Sequence, residues 1–124
     1  MTTLAGWRID VDRGPAWLFL RVHPPEEVFS DCADFAESVW ERASAHFIYR
    51  LVLEMDEFRV LPSRMIGQLI MLQKRLQNRG GVLRLSGLSE DCQRVLRACR
   101  LDDRLMSFPD RECAVKAQQP NRPR

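Results

Sequence analysis

Hydrophobic and polar residues alternate along the first part of the chain, as they do in strands with one buried face. In the strand predicted for residues 7–12, Trp7, Ile9 and Val11 fall on one side. Residues 16–22, AWLFLRV, form a second and more apolar strand. Because the link between the two strands is short and contains a Gly-Pro turn, the pattern predicts an antiparallel hairpin.

After the prolines that end this strand, the apolar residues recur at helical spacing. The predicted helix begins at the N-cap Ser30, with Asp31 and Asp34 near its positive end. Its buried stripe consists of Cys32, Phe35, Ala36, Val39, Trp40, Ala43 and Phe47. An amphipathic helix of this kind packs on a sheet.

The strand Leu51 to Met55 lacks alternation, which predicts that both of its faces are covered. A longer helix follows Pro62 and stops at Gly80-Gly81, where a residue with positive φ would end it. Its buried stripe is Met65, Ile66, Leu69, Ile70, Leu72 and Leu76. The outward side carries Met71 with Ser63, Gly67 and Lys74.

The last third of the chain predicts another strand, helix, strand and helix. The strand contains Val82, Leu83, Leu85 and Leu88, and the helix after Ser89 buries Cys92, Val95, Leu96 and Cys99. Leu105 to Phe108 forms a short strand, and Pro109-Asp110 begins a final helical turn. The order β-β-α-β-α-β-α-β-α predicts a single α/β domain, with a mixed, mostly parallel sheet, an N-terminal antiparallel hairpin and about four helices. We expect the domain to span residues 1–117, followed by a flexible tail over residues 118–124.

Composition excludes several classes of protein. The 124 residues carry 19 basic and 17 acidic side chains, a net charge of +2 that is too small to predict nucleic-acid binding. No apolar run is long enough to span a membrane, and the N-terminus lacks the pattern of a signal peptide, so we expect a cytoplasmic protein without membrane insertion. None of the four cysteines forms a C-x-x-C pair, which favours buried free thiols over a zinc site.

Motifs of catalysis are also missing. The sequence has no G-x-S-x-G, P-loop or dinucleotide glycine fingerprint, and neither His23 nor His46 has a partner pattern typical of a general base. Glu54, Asp56 and Glu57 cluster at a strand end, where α/β proteins often place functional groups, but they are too few to hold a metal in one geometry. We therefore predict a protein that is no enzyme and has no cofactor or metal.

Ser63 lies where a helix begins, which leaves two interpretations open. Its hydroxyl can simply cap the first turn, a contribution of about 1 kcal/mol. It can also be a phosphorylation switch, since a phosphate at this end would gain from the helix dipole and would add about −1.5 to −2 charges to the surface.

Residues 51–67, LVLEMDEFRVLPSRMIG, resemble the motif of STAS domains, the fold of bacterial anti-sigma factor antagonists. Glu54 falls on the strand-end Asp of that motif. Pro62 to Gly67 falls on its Asp-Ser-Ser-Gly-Leu-Gly. Residues 79–85 resemble the helix–glycine–strand passage of the family, and the resemblance covers about residues 7–117 in element order.

The resemblance implies a regulatory role. In the family, the first serine of the motif, here Ser63, is phosphorylated by an anti-sigma factor kinase. The unphosphorylated domain binds the kinase and frees its sigma factor, and phosphorylation lowers the affinity. The chain departs from the pattern where Pro62 replaces Asp, Arg64 replaces Ser and Met65 replaces Gly, and Arg100 stands where a glycine often follows the third helix.

We therefore expect a protein-binding module of transcriptional regulation and signal transduction. Its expected partner is an anti-sigma factor kinase or another STAS-containing protein, a homodimer being a further option. The predicted contact residues around Ser63 are Glu54, Asp56, Arg59, Pro62, Arg64, Gly67, Met71 and Lys74. An alternative is a constitutive structural subunit of a larger assembly, stressosome-like or transporter-associated. A ligand-binding domain that uses the acidic loop is a third hypothesis, against which the missing phosphate-cradling glycines argue.

Overall fold

The computed structural model describes residues 7–25 and 32–117, and its elements follow the predicted order. They are β1 Arg8–Arg13, β2 Leu18–His23, α1 Phe35–His46, β3 Arg50–Glu54, α2 Ser63–Gln77, β4 Val82–Ser86, α3 Glu90–Ala98, β5 Ser107–Phe108 and α4 Arg111–Lys116. The predicted cap Ser30, its neighbour Asp31 and the predicted tail over residues 118–124 lie outside the described residues.

The strands form one sheet in the order β1-β2-β3-β4-β5. The hairpin pairs β1 with β2 in antiparallel register, Arg8 opposite His23, and the remaining neighbours are parallel. Each parallel neighbour is reached through one helix, as in strand–helix–strand units. The predicted mixed, mostly parallel sheet with an N-terminal hairpin is confirmed.

The core lies on one face of the sheet, called here the inner face. Leu20, Leu53 and Leu85 from the strands pack there with apolar side chains of α1, α2 and α3. On the opposite, outer face, Val52 packs with Phe108 and Ala114, so that α4 covers part of this face. As predicted, both faces of β3 are covered, because Leu53 and Val52 are fully buried on opposite sides.

The boundaries of α1 differ from the prediction. The helix begins at Phe35 after Asp34, which makes no side-chain capping hydrogen bond. It ends before Phe47, whose φ of 55° is left-handed and whose surface is 83% exposed. Phe47 therefore does not belong to the buried stripe, because the reversal of the backbone after the helix turns its side chain away from the core.

The surface helix α3 buries a narrower stripe than predicted. Cys92 and Leu96 are buried, whereas Val95 and Cys99 are exposed. Cys32 and Cys92 are buried, as predicted, but Cys99 is exposed and Cys113 is only half-buried, so the prediction of buried thiols is wrong for these two. Arg100 adopts a φ of 58°, a conformation that explains why a glycine would suit this position.

Candidate functional site

Ser63 is the first residue of α2, and it does not cap the helix. The N-cap is Pro62, with φ −68° and ψ 156°, and no side chain accepts a capping hydrogen bond. Proline fixes the chain in the extended conformation one residue earlier than predicted, which moves Ser63 into the first turn. The exposed Ser63 hydroxyl makes no hydrogen bond within the described part of the chain, so it is accessible for modification.

The outward side of α2 carries Ser63, Gly67, Met71 and Lys74, all of them exposed. Met71 is 59% exposed, in agreement with its predicted position. A Cβ atom added at Gly67 would have no neighbour within 4 Å, so no close contact inside the domain requires a glycine there. We call these four residues the outward stripe of α2.

Buried contacts fix the direction of this stripe. Met65, Leu69 and Leu72 are fully buried on the opposite side of α2. The side-chain carbonyl of Gln68 accepts a hydrogen bond of 2.8 Å from the backbone N–H of Ala36 at the start of α1, and the buried Gln73 donates to the Arg104 carbonyl. Rotation of α2 about its axis would break both contacts, so the outward stripe stays at the surface.

The loop that leads into α2 is anchored by apolar side chains. Met55, Phe58 and Leu61 are buried, and the N–H of Met55 donates to the Ser86 carbonyl at 2.9 Å. Arg59 is exposed between them and has no carboxylate partner among the described residues. Arg64, in the first turn of α2, is likewise exposed and unpaired in the described ranges. Along the chain, an unpaired cation therefore precedes Ser63 by four residues and another follows it directly.

Glu54 differs from the prediction because it does not reach the surface. Its side chain is 6% exposed, and both carboxylate oxygens accept hydrogen bonds of 2.8 Å from Arg111 of α4. Arg111 also bonds Asp12 at 2.6 Å, and these carboxylates, Glu54 first, raise the pKa of Arg111. Glu54 therefore anchors α4 to the outer face of the sheet, and we remove it from the predicted docking surface.

The remaining acidic residues of the loop contact basic groups of the hairpin. Asp56 is half exposed and lies 3.9 Å from Arg21. Glu57 contacts Nδ1 of His23 at 2.6 Å, and Nε2 of His23 contacts Asp10 at 2.9 Å. His23 thus joins the acidic loop to β1. Among residues 7–25 and 32–117, no group of three or more His, Cys, Asp and Glu side chains could hold a metal ion.

Sequence reasoning missed Arg111 and the bridging role of His23. Arg111 lies 57 residues after Glu54 and 99 after Asp12, so no local spacing relates it to either carboxylate. The only available signal for His23 was its position at the end of a strand, next to the prolines. The predicted surface residues Asp56, Arg59, Arg64, Gly67, Met71 and Lys74 are exposed, and Pro62 is half-buried.

The acid stability of this region should depend on Asp10. The hydrogen bond with His23 holds the pKa of Asp10 below its usual value of 3.8. A lowered pKa stabilises the fold above the unfolded-state value, and this stabilisation is lost as the pH falls through the folded-state pKa. We expect Asp10→Asn to be less stable than the wild type in urea unfolding near neutral pH, and the difference to shrink below about pH 4. A constant difference across the range would contradict this origin.

One family model matches most of the chain. The model of the STAS domain matches residues 19–114. No curated protein sequence matches the chain as a relative. Among the described residues, no helix combines the length and hydrophobicity that crossing a membrane requires.

Solved structures share the fold at low sequence identity. An anti-sigma factor antagonist from Mycobacterium paratuberculosis aligns with a TM-score of 0.73 and 15% identity, over 90% of this chain and 92% of that one. The anti-sigma factor antagonist SpoIIAA in its unphosphorylated form gives 0.63 and 14%, over 90% and 98%. A chain from the structure of the stressosome, a signal integration and transduction hub, gives 0.68 and 16%, over 87% and 94%.

Proposed function

Because this chain belongs to the STAS domain family, we propose that it is a non-enzymatic regulatory module that binds a protein partner as an anti-sigma factor antagonist does. The partner is an anti-sigma factor kinase, and it docks on the Ser63 loop and the outward stripe of α2. The observation that carries this proposal is the exposed, unbonded hydroxyl of Ser63 in the first turn of α2.

The outward stripe has the properties of a contact surface. Met71 is an exposed, adaptable apolar side chain. One turn before it, Gly67 has no side chain to cover the helix backbone. A glycine in the middle of a helix costs about 1 kcal/mol relative to alanine, and no contact within the domain requires it. Val60, 44% exposed in the loop before Ser63, adds a second apolar group that sequence reasoning did not select. A partner backbone could approach α2 closely at Gly67.

The departures from the family motif affect this surface unequally. Met65, which replaces a glycine, is fully buried and packs in the core, so it adds no bulk to the surface. Arg64 is exposed and adds a cation next to Ser63. A partner that docks here would therefore carry carboxylates opposite Arg64 and Arg59. Opposite charges raise the association rate and fix the relative orientation of the two proteins.

Phosphorylation of Ser63 would then act as a switch. The phosphate would lie in the first turn of α2, where free N–H groups and the helix dipole stabilise negative charge, so the fold would tolerate it. It would also add about −1.5 to −2 charges between Arg59 and Arg64, which would repel an acidic partner. Incubation with ATP and the anti-sigma factor kinases encoded in the source genome, followed by mass spectrometry, should locate phosphate on Ser63. Modification elsewhere would remove the switch.

The effect of the charge can be tested without a kinase reaction. We expect Ser63→Asp to weaken binding of the kinase at least about tenfold, which corresponds to about 1.4 kcal/mol. Ser89→Asp is the matched control, since Ser89 also lies at a helix start and aspartate can replace serine as its N-cap. Equal affinities of wild type and Ser63→Asp in isothermal titration calorimetry would place the interface elsewhere. Equal losses in both variants would mean a general charge effect.

The similarity to a chain of the stressosome favours a second candidate function, a constitutive structural subunit of a larger signalling assembly. A transporter-associated assembly is a variant of this role. Such a subunit would stay in a stable complex regardless of Ser63. Multi-angle light scattering of co-purified complexes separates the two proposals, because only the switch predicts dissociation of the Ser63→Asp variant.

A further inference from the structure

The outer face of the sheet has two regions, one in which the arginines are paired with carboxylates and one in which they are not. Near the carboxyl ends of the parallel strands, cations meet carboxylates. Arg111 bonds Glu54 and Asp12, and Arg21 lies 3.7 Å from Glu54. This region is therefore neutralised within the domain.

Farther from those carboxyl ends, at the first residue of β3 and the middle of β4, two arginines converge on one indole. The guanidinium carbon of Arg84 lies 5.1 Å from the ring centroid of Trp17, and that of Arg50 lies 5.9 Å from it. Arg50 belongs to β3 and Arg84 to the neighbouring strand β4, and Trp17 directly precedes β2. In the described ranges, neither guanidinium has a carboxylate oxygen within 4.0 Å. We call Arg50 and Arg84 the guanidinium pair.

The position of Arg84 is fixed by α4. Its Nη1 donates to the Ala114 carbonyl at 2.7 Å, an interaction that satisfies one free carbonyl near the end of the helix. Burial and the charge of Arg50 lower the pKa of Arg84, although arginine remains cationic at neutral pH. The Ala114 carbonyl therefore accounts for the position of the Arg84 side chain. It does not explain why the exposed Arg50 lies on the same ring, where two like charges repel each other.

We propose that the guanidinium pair forms a phosphate-binding site, with Trp17 as its apolar floor. Guanidinium donors match the oxygens of a tetrahedral oxyanion in geometry and charge, and a bound phosphate would relieve the repulsion between Arg50 and Arg84. The partly desolvated surface strengthens such contacts relative to open water. The pair lies on the outer face of the sheet, whereas α2 packs on the inner face, and Ser63 follows the far end of β3 from Arg50. This site is therefore separate from the proposed partner surface.

Titration with inorganic phosphate, followed by the indole N–H resonance of Trp17 in ¹⁵N-edited NMR, tests the site. We expect a saturable shift with a millimolar dissociation constant, which sodium chloride of equal ionic strength does not reproduce. Arg50→Gln should weaken binding about tenfold or more. Arg79→Gln is the matched control, because Arg79 also lies on aromatic rings, 5.4 Å from Tyr49 and 5.9 Å from Trp40, but on the side of the domain away from the guanidinium pair. Its neighbour on Trp40, Arg75, is neutralised by Glu37 at 2.7 Å. It should leave the affinity unchanged.

A second ligand distinguishes free phosphate from a phosphate carried by a nucleotide. Adenosine monophosphate should bind more tightly than inorganic phosphate if its base also contacts Trp17, and equally if the phosphate alone is recognised. Both results support the site. The absence of a saturable shift, an equal shift with chloride, or an unchanged affinity in Arg50→Gln would each overturn it. Arg84→Lys keeps the positive charge but lacks the planar set of guanidinium N–H donors. This second variant should also bind phosphate more weakly.

Discussion

Arg111→Met is expected to lower the free energy of unfolding by about 3 kcal/mol, because it leaves the carboxylate of Glu54 buried without its partner. Glu54 is 6% exposed, and Arg111 supplies two hydrogen bonds of 2.8 Å to it. Arg21, 3.7 Å from Glu54, offsets part of the loss, so the effect should fall at the lower end of the range for buried pairs. Urea unfolding monitored by circular dichroism measures it.

Arg75→Met is a closely matched control. Arg75 contacts Glu37 at 2.7 Å and lies 4.5 Å from the Trp40 ring, much as Arg111 lies 4.3 Å from the Phe19 ring. Glu37, however, is 52% exposed, and an exposed ion pair contributes less than about 1 kcal/mol. If the two variants lost the same stability, burial of Glu54 would not be the reason for the effect.

The same pair anchors α4, and its loss should have a local signature. Arg111 is the first residue of α4, and the helix covers Val52 with Ala114. We expect amide hydrogen exchange in α4 to accelerate in Arg111→Met more than exchange in α2, because local opening precedes global unfolding. Uniform acceleration in both helices would mean that α4 and the inner core open together.

Gly81→Ala is expected to destabilise the protein by about 2–3 kcal/mol, as overpacking does in a rigid environment. A Cβ atom at Gly81 would collide with the backbone carbonyl of Tyr49, the residue before β3. That carbonyl also accepts a hydrogen bond of 3.0 Å from the N–H of Val82. The backbone can yield only if β3 and β4 separate, so the collision is costly.

Gly67→Ala provides a control for which the expected change in stability has the opposite sign. A Cβ atom there meets nothing within 4 Å, and alanine in the middle of a helix is more stable than glycine by about 1 kcal/mol. The same substitution should therefore raise the unfolding midpoint at Gly67 and lower it at Gly81. A loss of stability at both positions would contradict the assigned packing of α2.

The two adjacent glycines illustrate the limits of a sequence motif. The pattern Gly80-Gly81 predicted the end of α2, and Gly80 has the expected positive φ of 71°. Gly81 serves a different purpose, since it leaves room for the carbonyl of Tyr49. Helix termination is a local event that residues a few positions apart can specify. The close approach of β3 to the end of α2 depends on segments far apart in the chain.

The candidate site shows the same division. Spacing alone placed Met71, Gly67 and Ser63 on the outward stripe of α2, because the period of a helix relates neighbouring residues directly. It could not say that Pro62 would take the N-cap from Ser63, or that Met65 would fill the core where the family motif has a glycine. Those outcomes depend on the conformation fixed by proline and on the space available beneath α2.

Hydrophobic periodicity and turn residues specified the nine elements of residues 7–25 and 32–117 and their order, and this order favoured a mixed sheet with a leading hairpin. Only the tertiary structure decided which charged groups are in contact. Glu54 is paired with Arg111, 57 residues later in the chain. Arg50 and Arg84 share the Trp17 ring, and in the described residues neither has a carboxylate within 4.0 Å. Periodicity reports which side of an element is apolar, since burial acts on each element separately. Charge pairing depends on distances between strands and helices, which exist only once the sheet has formed.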